Sequence, residues 1–167
     1  MTESPNVMTE GVRRLAVLQR ADGSFTGEHW GAGAEREPTT SLFATALVVC
    51  ATTSLPPSDT REELRRKAAN FLRGHQSPHG SFNYWIRGSI GEKELPCPDD
   101  LDDTACALAA LTIADPSRMD GPAMSNIVKI LTHVESKPGG PYRTWITGSD
   151  VADIWKDVDP VVNANIG

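Results

Sequence analysis

Asp99, Asp100, Asp102 and Asp103 put four carboxylates within five positions, the densest reactive chemistry in the sequence. Clustered carboxylates cannot all ionise cheaply, so one of them holds its proton with a raised pKa. Such a group is an acid, and hydrogen bonds from its neighbours stabilise the conjugate base once the proton leaves. The same letters carry a plainer meaning. Asp and Thr just ahead of a buried helix are ordinary N-caps, and acidic residues in a first turn suit the helix dipole. A single cap needs only one such residue, however, and Pro96-Cys97-Pro98 stiffens the approach to this cluster. Asp99 to Asp103 also satisfies a DDxxD spacing, which offers hard oxygen ligands to a magnesium ion bridging a diphosphate.

Other reactive residues are sparse. His29, His75, His79 and His133 are scattered, and Pro78 argues against a helix joining His75 to His79, so no zinc set is read. Ser24 and Ser81 follow turn glycines with no base-nucleophile pairing. Arg87 and Arg143 lie beside tryptophans and suit a diphosphate, although exposed arginines are usually just solvated. Three cysteines (Cys50, Cys97, Cys106), odd in number and without CxxC spacing, read as free thiols of a cytoplasmic protein. The polar N-terminus has no signal-peptide apolar stretch, and the longest apolar run, Ala44 to Ala51, is too short to span a membrane. With 167 residues the chain is one domain, and a net charge of −6 without a basic stripe excludes nucleic acid.

The elements that must position the aspartates come as three copies of one unit. Gln19 to Phe25 (with Asp22-Gly23-Ser24) leads to Trp30; Gln76, Gly80-Ser81-Phe82 leads to Trp85; Gly139-Gly140-Pro141-Tyr142 leads to Trp145. The glycines Gly23, Gly80 and Gly140 recur at about sixty residues. An amphipathic helix precedes each turn: Val12, Leu15, Ala16 and Leu18 share one face, as do Leu64, Ala68, Phe71 and Leu72. A polar, Pro-containing loop follows, then a second helix of small apolar residues, Thr40 to Ala51 in copy one and Asp102 to Ile113 in copy two. Helices apolar all round are buried on every side. The alternation therefore predicts an all-α fold with an amphipathic outer ring and a buried inner one. Residues 1–11 read as a flexible N-terminus and 12–167 as the repeat domain. Copy three begins a last inner helix at Asp159 to Asn165. A repeat cannot bury its apolar face alone, so a second copy of the chain or a C-terminal half would cover the open end.

The pattern Gln-x-x-Asp-Gly-Ser-Phe at Gln19 to Phe25, echoed at Gln76 to Phe82, resembles the prenyltransferase and squalene-oxidase repeat of terpene cyclases. Asp100-Leu101-Asp102-Asp103-Thr104-Ala105 resembles the DxDD-Thr-Ala motif of class II members. The resemblance implies an α/α toroid and a class II terpene cyclase that protonates and cyclises a linear isoprenoid. It makes Asp102 the proton donor and Asp100 and Asp103 its polarising partners. Substrate would lie in the ring's apolar mouth, with Trp85, Tyr84, Trp145 and Thr104 as its contacts. No cofactor is required; magnesium would assist if the isoprenoid carries a diphosphate. Two alternatives stand beside this reading: a non-catalytic toroid module binding an isoprenoid or a partner chain, and a class I-like, magnesium-dependent prenyl-diphosphate enzyme. Protein prenyltransferase β-subunits share the repeat, but their zinc ligands are not found in motif order.

Overall fold

Each inner helix begins where a short polar side chain closes it off. In the computed structural model, which describes residues 7–30 and 36–166, the elements are α1 (Val7–Leu18), β1 (Thr26–Trp30), β2 (Arg36–Thr40), α2 (Leu42–Ala51), α3 (Asp59–His75), α4 (Ile90–Glu94), β3 (Asp99–Asp100), α5 (Leu101–Ala114), α6 (Gly121–Val134), β4 (Trp145–Ile146) and α7 (Pro160–Ile166). Ser41 caps α2 by accepting from the Ala44 N–H, and Ser58 caps α3 by accepting from the Arg61 N–H. Asp59 and Glu62 lie in the first turn of α3 and Arg73 and His75 in its last, each complementing the helix dipole.

The fold is all-α in character, with outer helices α1, α3 and α6 alternating along the chain with inner helices α2, α5 and α7. α2 packs on α5, α5 on α7, and α1 on α3. The main core joins Leu42, Ala46 and Val49 of α2 to Ala68, Leu72, Ala107 and Ala110 of α3 and α5. A second cluster joins Leu101 to Ile130, Val134 and Val162. Phe82, fully buried, plugs the main core; its truncation to alanine would cost about 3–5 kcal/mol.

The copies interlock through their glycine turns. Gly23 and Gly80 have φ of 92° and 87°, which side-chain-bearing residues rarely adopt. A β-carbon on Gly23 would strike the Lys67 carbonyl of α3, and one on Gly80 the Asn126 side chain of α6. Each turn thus seats on the outer helix of the next copy. Gln19 and Gln76 lock their turns alike, donating to the Gly23 and Gly80 carbonyls at 3.0 Å.

Some expectations change. In copy three the positive φ falls on Gly139 (67°) rather than Gly140. The loop of copy one contains an antiparallel pair, with Thr26 opposite Thr40 and Trp30 opposite Arg36. α1 starts at Val7, inside the segment read as flexible; residues 1–6 lie outside the described residues. Leu18, assigned to the buried face, is 68% exposed, because α1 packs chiefly on α3 and only Val12 is fully covered. Nor is α2 buried on every side: it sits between α3 and α5, leaving Leu47 47% exposed. Among the described residues no helix is long and apolar enough to cross a membrane.

Candidate active site

One hydrogen-bond device starts every inner helix. The Phe25 N–H donates to Thr45 Oγ1 at 3.1 Å, and that hydroxyl donates to the Ser41 carbonyl at 3.1 Å. In copy two the Phe82 N–H donates to Thr104 Oγ1 at 2.9 Å, and Thr104 donates to the Asp100 carbonyl at 2.6 Å. In copy three Asn163 replaces the threonine, accepting from the Tyr142 N–H at 2.8 Å and donating to the Asp159 carbonyl at 2.9 Å. Ser41, Asp100 and Asp159 are therefore equivalent caps. Asp100 accepts from the N–H groups of Asp102 and Asp103 at 2.7 and 3.0 Å. Asp102 and Asp103 then occupy the positions of Phe43 and Ala44 in copy one, and Val161 and Val162 in copy three.

The start of α5 is clamped from both neighbours. Its Asp100 N–H donates to the Phe82 carbonyl, β3 pairs with β4 so that Asp100 faces Trp145, and the Leu101 N–H donates to the Thr144 carbonyl. α7 reaches across to the acid: Asn165 Nδ2 donates to Asp102 Oδ1 at 3.0 Å.

A cleft of about 660 Å³ opens over this clamp. Asp100, Asp102 and Asp103 line it, as do Tyr84, Trp85 and Trp145, so six of the expected site residues meet in one place. Thr104 does not line this cleft. Its hydroxyl is committed to the Phe82 and Asp100 backbone, which makes it a support for the site. Tyr84 and Trp85 meet edge to face at 4.7 Å, and Trp145 meets Trp155 in the same manner at 4.9 Å. The Trp85 indole N–H is held by the Leu95 carbonyl.

The carboxylates are not alike. Asp103 is 4% exposed, and its Oδ1 is buried without a hydrogen-bond partner. Burial, reinforced by the negative charges of Asp100, Asp102 and Asp99, pushes it up to about 8, so at neutral pH it keeps its proton. Asp100 is also raised by burial, although the two backbone N–H groups on it pull the other way. Asp102 is half-buried and faces the cleft. Asp99 points elsewhere, accepting from Ser81 Oγ, from Asn83 and from Arg87, the last an ion pair at 3.3 Å.

These commitments bear on diphosphate and magnesium. Arg87 is paired with Asp99, and Arg143 donates to the His133 carbonyl at 2.9 Å; neither lines the cleft. With Asp99 held by three side chains and Asp100 by backbone, the DDxxD letters do not converge on one point. No group of three or more His, Cys, Asp or Glu among the described residues is arranged to hold a metal ion.

Three contributors escape a reading of the sequence. Asn165 touches the acid, Trp155 joins the aromatic wall, and Phe43 of copy one lines the same cleft. The third copy's Asn163-Ala164-Asn165 carried the one available signal: polar residues spaced along a short helix expected to be inner.

No protein-family model matches the sequence, and no curated protein does. Among solved structures, the fold is similar to an Asp-to-Ala variant of the type II terpene cyclase MstE from Scytonema, solved in complex with its product merosterolic acid A. The match has a TM-score of 0.60 at 18% identity and covers 96% of this chain. It covers 47% of the cyclase chain, so this chain spans about half the length of that structure. What the two share is the fold, and by that measure the chain has the all-α, toroid-type architecture of a type II terpene cyclase.

Proposed function

We propose that the chain is the acid-bearing part of a class II terpene cyclase-like enzyme, in which Asp102 protonates a linear isoprenoid and starts its cyclisation. One observation carries this reading: Asp102 and the buried Asp103 stand side by side at the start of α5 and line one cleft with Tyr84, Trp85, Trp145 and Trp155. An alkene is a weak base, so the donor must be protonated on arrival of substrate and still be a strong acid. The Asp102 O–H bond breaks and its proton forms a C–H bond with an alkene carbon; the next alkene attacks the resulting cation to close a ring. The cation left by ring closure loses a proton to water to form a new C=C bond, and solvent returns a proton to Asp102. Asp103, retaining its own proton, spares Asp102 a second negative neighbour. Asn165 donates to the oxygen that bears charge after the transfer. Tyr84, Trp85, Trp145 and Trp155 offer π-faces to the cation, each worth about 0.5–2 kcal/mol.

The substrate is a linear isoprenoid, free or diphosphorylated. Among the described residues, no lysine or arginine lines the cleft. A second half or a second copy of the chain completes the toroid, in keeping with the length of the cyclase structure. A variant of this reading makes Asp103 the direct donor, favoured by its buried, unpartnered Oδ1. A non-catalytic, isoprenoid-binding module is the alternative favoured by the capping role of Asp100.

The test incubates the purified, demonstrably helical full chain with free and diphosphorylated linear isoprenoids of sesquiterpene to triterpene length. Mass spectrometry reads the products beside Asp102→Asn and Asp103→Asn. A cyclic product that drops by about 100-fold or more in Asp102→Asn is the expected result. Retention in Asp102→Asn with loss in Asp103→Asn reassigns the donor. A folded chain that binds isoprenoid and yields no cyclic product overturns catalysis and leaves the binding module.

A further inference from the structure

Apart from the carboxylates, the inner helices hold a pair of thiols that the proposed chemistry does not use. Cys50 lies at the end of α2 and Cys106 in the second turn of α5. Ala46, Ala107 and Ala110, at 0 to 1% exposure, bring these two helices close. The Cys50 thiol donates to the Cys106 carbonyl oxygen at 4.0 Å, which places its sulfur against the backbone of Cys106. Both are half-buried, and both line a cleft of about 240 Å³ together with Asp102 and Asn165. Asp102 and Cys106, four residues apart on α5, share a face.

We propose that Cys50 and Cys106 are a redox-responsive pair, which a peroxide converts into a disulfide bridging α2 and α5 beside Asp102. A disulfide requires Cα atoms within about 7 Å, an approach that the alanine-lined packing of these helices favours. The neighbouring Cys106 holds the Cys50 thiol below the usual cysteine range, to about 7, which favours its thiolate as the attacking group. Cys106 is raised correspondingly. The third thiol, Cys97, is pushed up by burial, and donates to Asn83 Oδ1 at 3.7 Å.

The chemistry balances. The Cys50 thiolate attacks one peroxide oxygen; the O–O bond breaks, and the departing hydroxide takes a proton to become water. Cys106 loses its proton and attacks the sulfenic sulfur on Cys50; the S–S bond forms, the S–O bond breaks, and a second water leaves. Two thiols are oxidised and one peroxide is reduced to two waters. The product is a covalent strap across the inner helices, one turn from the proposed acid.

The experiment treats the reduced full chain with equimolar hydrogen peroxide, then alkylates it for intact-mass and peptide analysis. The expected product is monomeric, two hydrogens lighter, with Cys50 linked to Cys106 and Cys97 alkylated. Cys97→Ser forms the same bridge, and Cys50→Ser and Cys106→Ser form none. Three alkylated thiols, a bridge that includes Cys97, or only intermolecular disulfides overturns the proposal. The readout needs no isoprenoid, so its failure and that of the cyclase reading are distinguishable.

Discussion

The first turns of α2 and α5 are the same piece of structure built twice. Ser41 and Asp100 cap, Leu42 and Leu101 are 1% and 2% exposed, and Thr45 and Thr104 tie the preceding glycine turn to the cap. Only two side chains differ in kind. Where copy one has Phe43 and Ala44, copy two has Asp102 and Asp103, and copy three returns to apolar Val161 and Val162. A scaffold that folds with apolar residues there did not need carboxylates for its stability. Placing one at a 4% exposed position costs free energy that apolar residues would not. The comparison separates Asp100, which belongs to the architecture of all copies, from Asp102 and Asp103, which belong to one. The proposed chemistry rests on these two exceptions to the repeat.

Erasing the exception tests this most severely. Asp102→Phe with Asp103→Ala, which writes copy one's residues into copy two, is expected to fold with undetectable cyclisation in the isoprenoid assay. Loss of the helical signal by circular dichroism would instead make the aspartates part of the scaffold.

A sharper test follows from Asp103 alone. The folded chain keeps this proton up to about 8, whereas an unfolded aspartate releases it near 3.8. Between these values the folded state binds the extra proton, so this contribution, fully present below the lower value, is lost as pH rises. Urea denaturation across that window should show stability falling by up to about 1.4 kcal/mol per pH unit from this group. Asp103→Asn should flatten the slope and stabilise the chain at neutral pH. An unchanged slope in that variant would remove the buried proton from the account.

The smallest effect probes what the copies share. Thr45→Val and Thr104→Val each orphan a buried phenylalanine N–H, costing about 1–3 kcal/mol, and the two losses should agree closely in thermal denaturation. A much larger loss in Thr104→Val would mean that copy two carries more than the common scaffold.

Much of this was legible from the sequence because turns leave strong marks. A glutamine, a glycine of positive φ and a serine-aromatic pair are all demanded by one geometry, so their recurrence located the outer helices and the start of α5. What was not legible depended on partners distant in sequence. Leu18 and Leu47 carry the right hydrophobicity and the right period, yet no local pattern says that neither is covered. Asn165 shows its role only once α7 lies on α5. The aspartates read as a cluster, but their division into a cap, a cleft-facing carboxyl, a proton-keeper and an ion-pair partner was written in Ser81, Arg87 and burial. The strand pair at 26–30 and 36–40 lacks the β-branched enrichment that marks a strand, and Pro38 within it suggested a loop.

The seating of each glycine turn on the following copy also sets an order in time. As the chain leaves the ribosome, the turn at Gly23 has no surface to rest on until Lys67 has emerged, and the turn at Gly80 waits for Asn126. Consolidation during synthesis therefore trails elongation by one copy, from the N-terminus onward. The contact between α5 and α7 follows in the same way, because Asp102 meets Asn165 only once α7 has emerged.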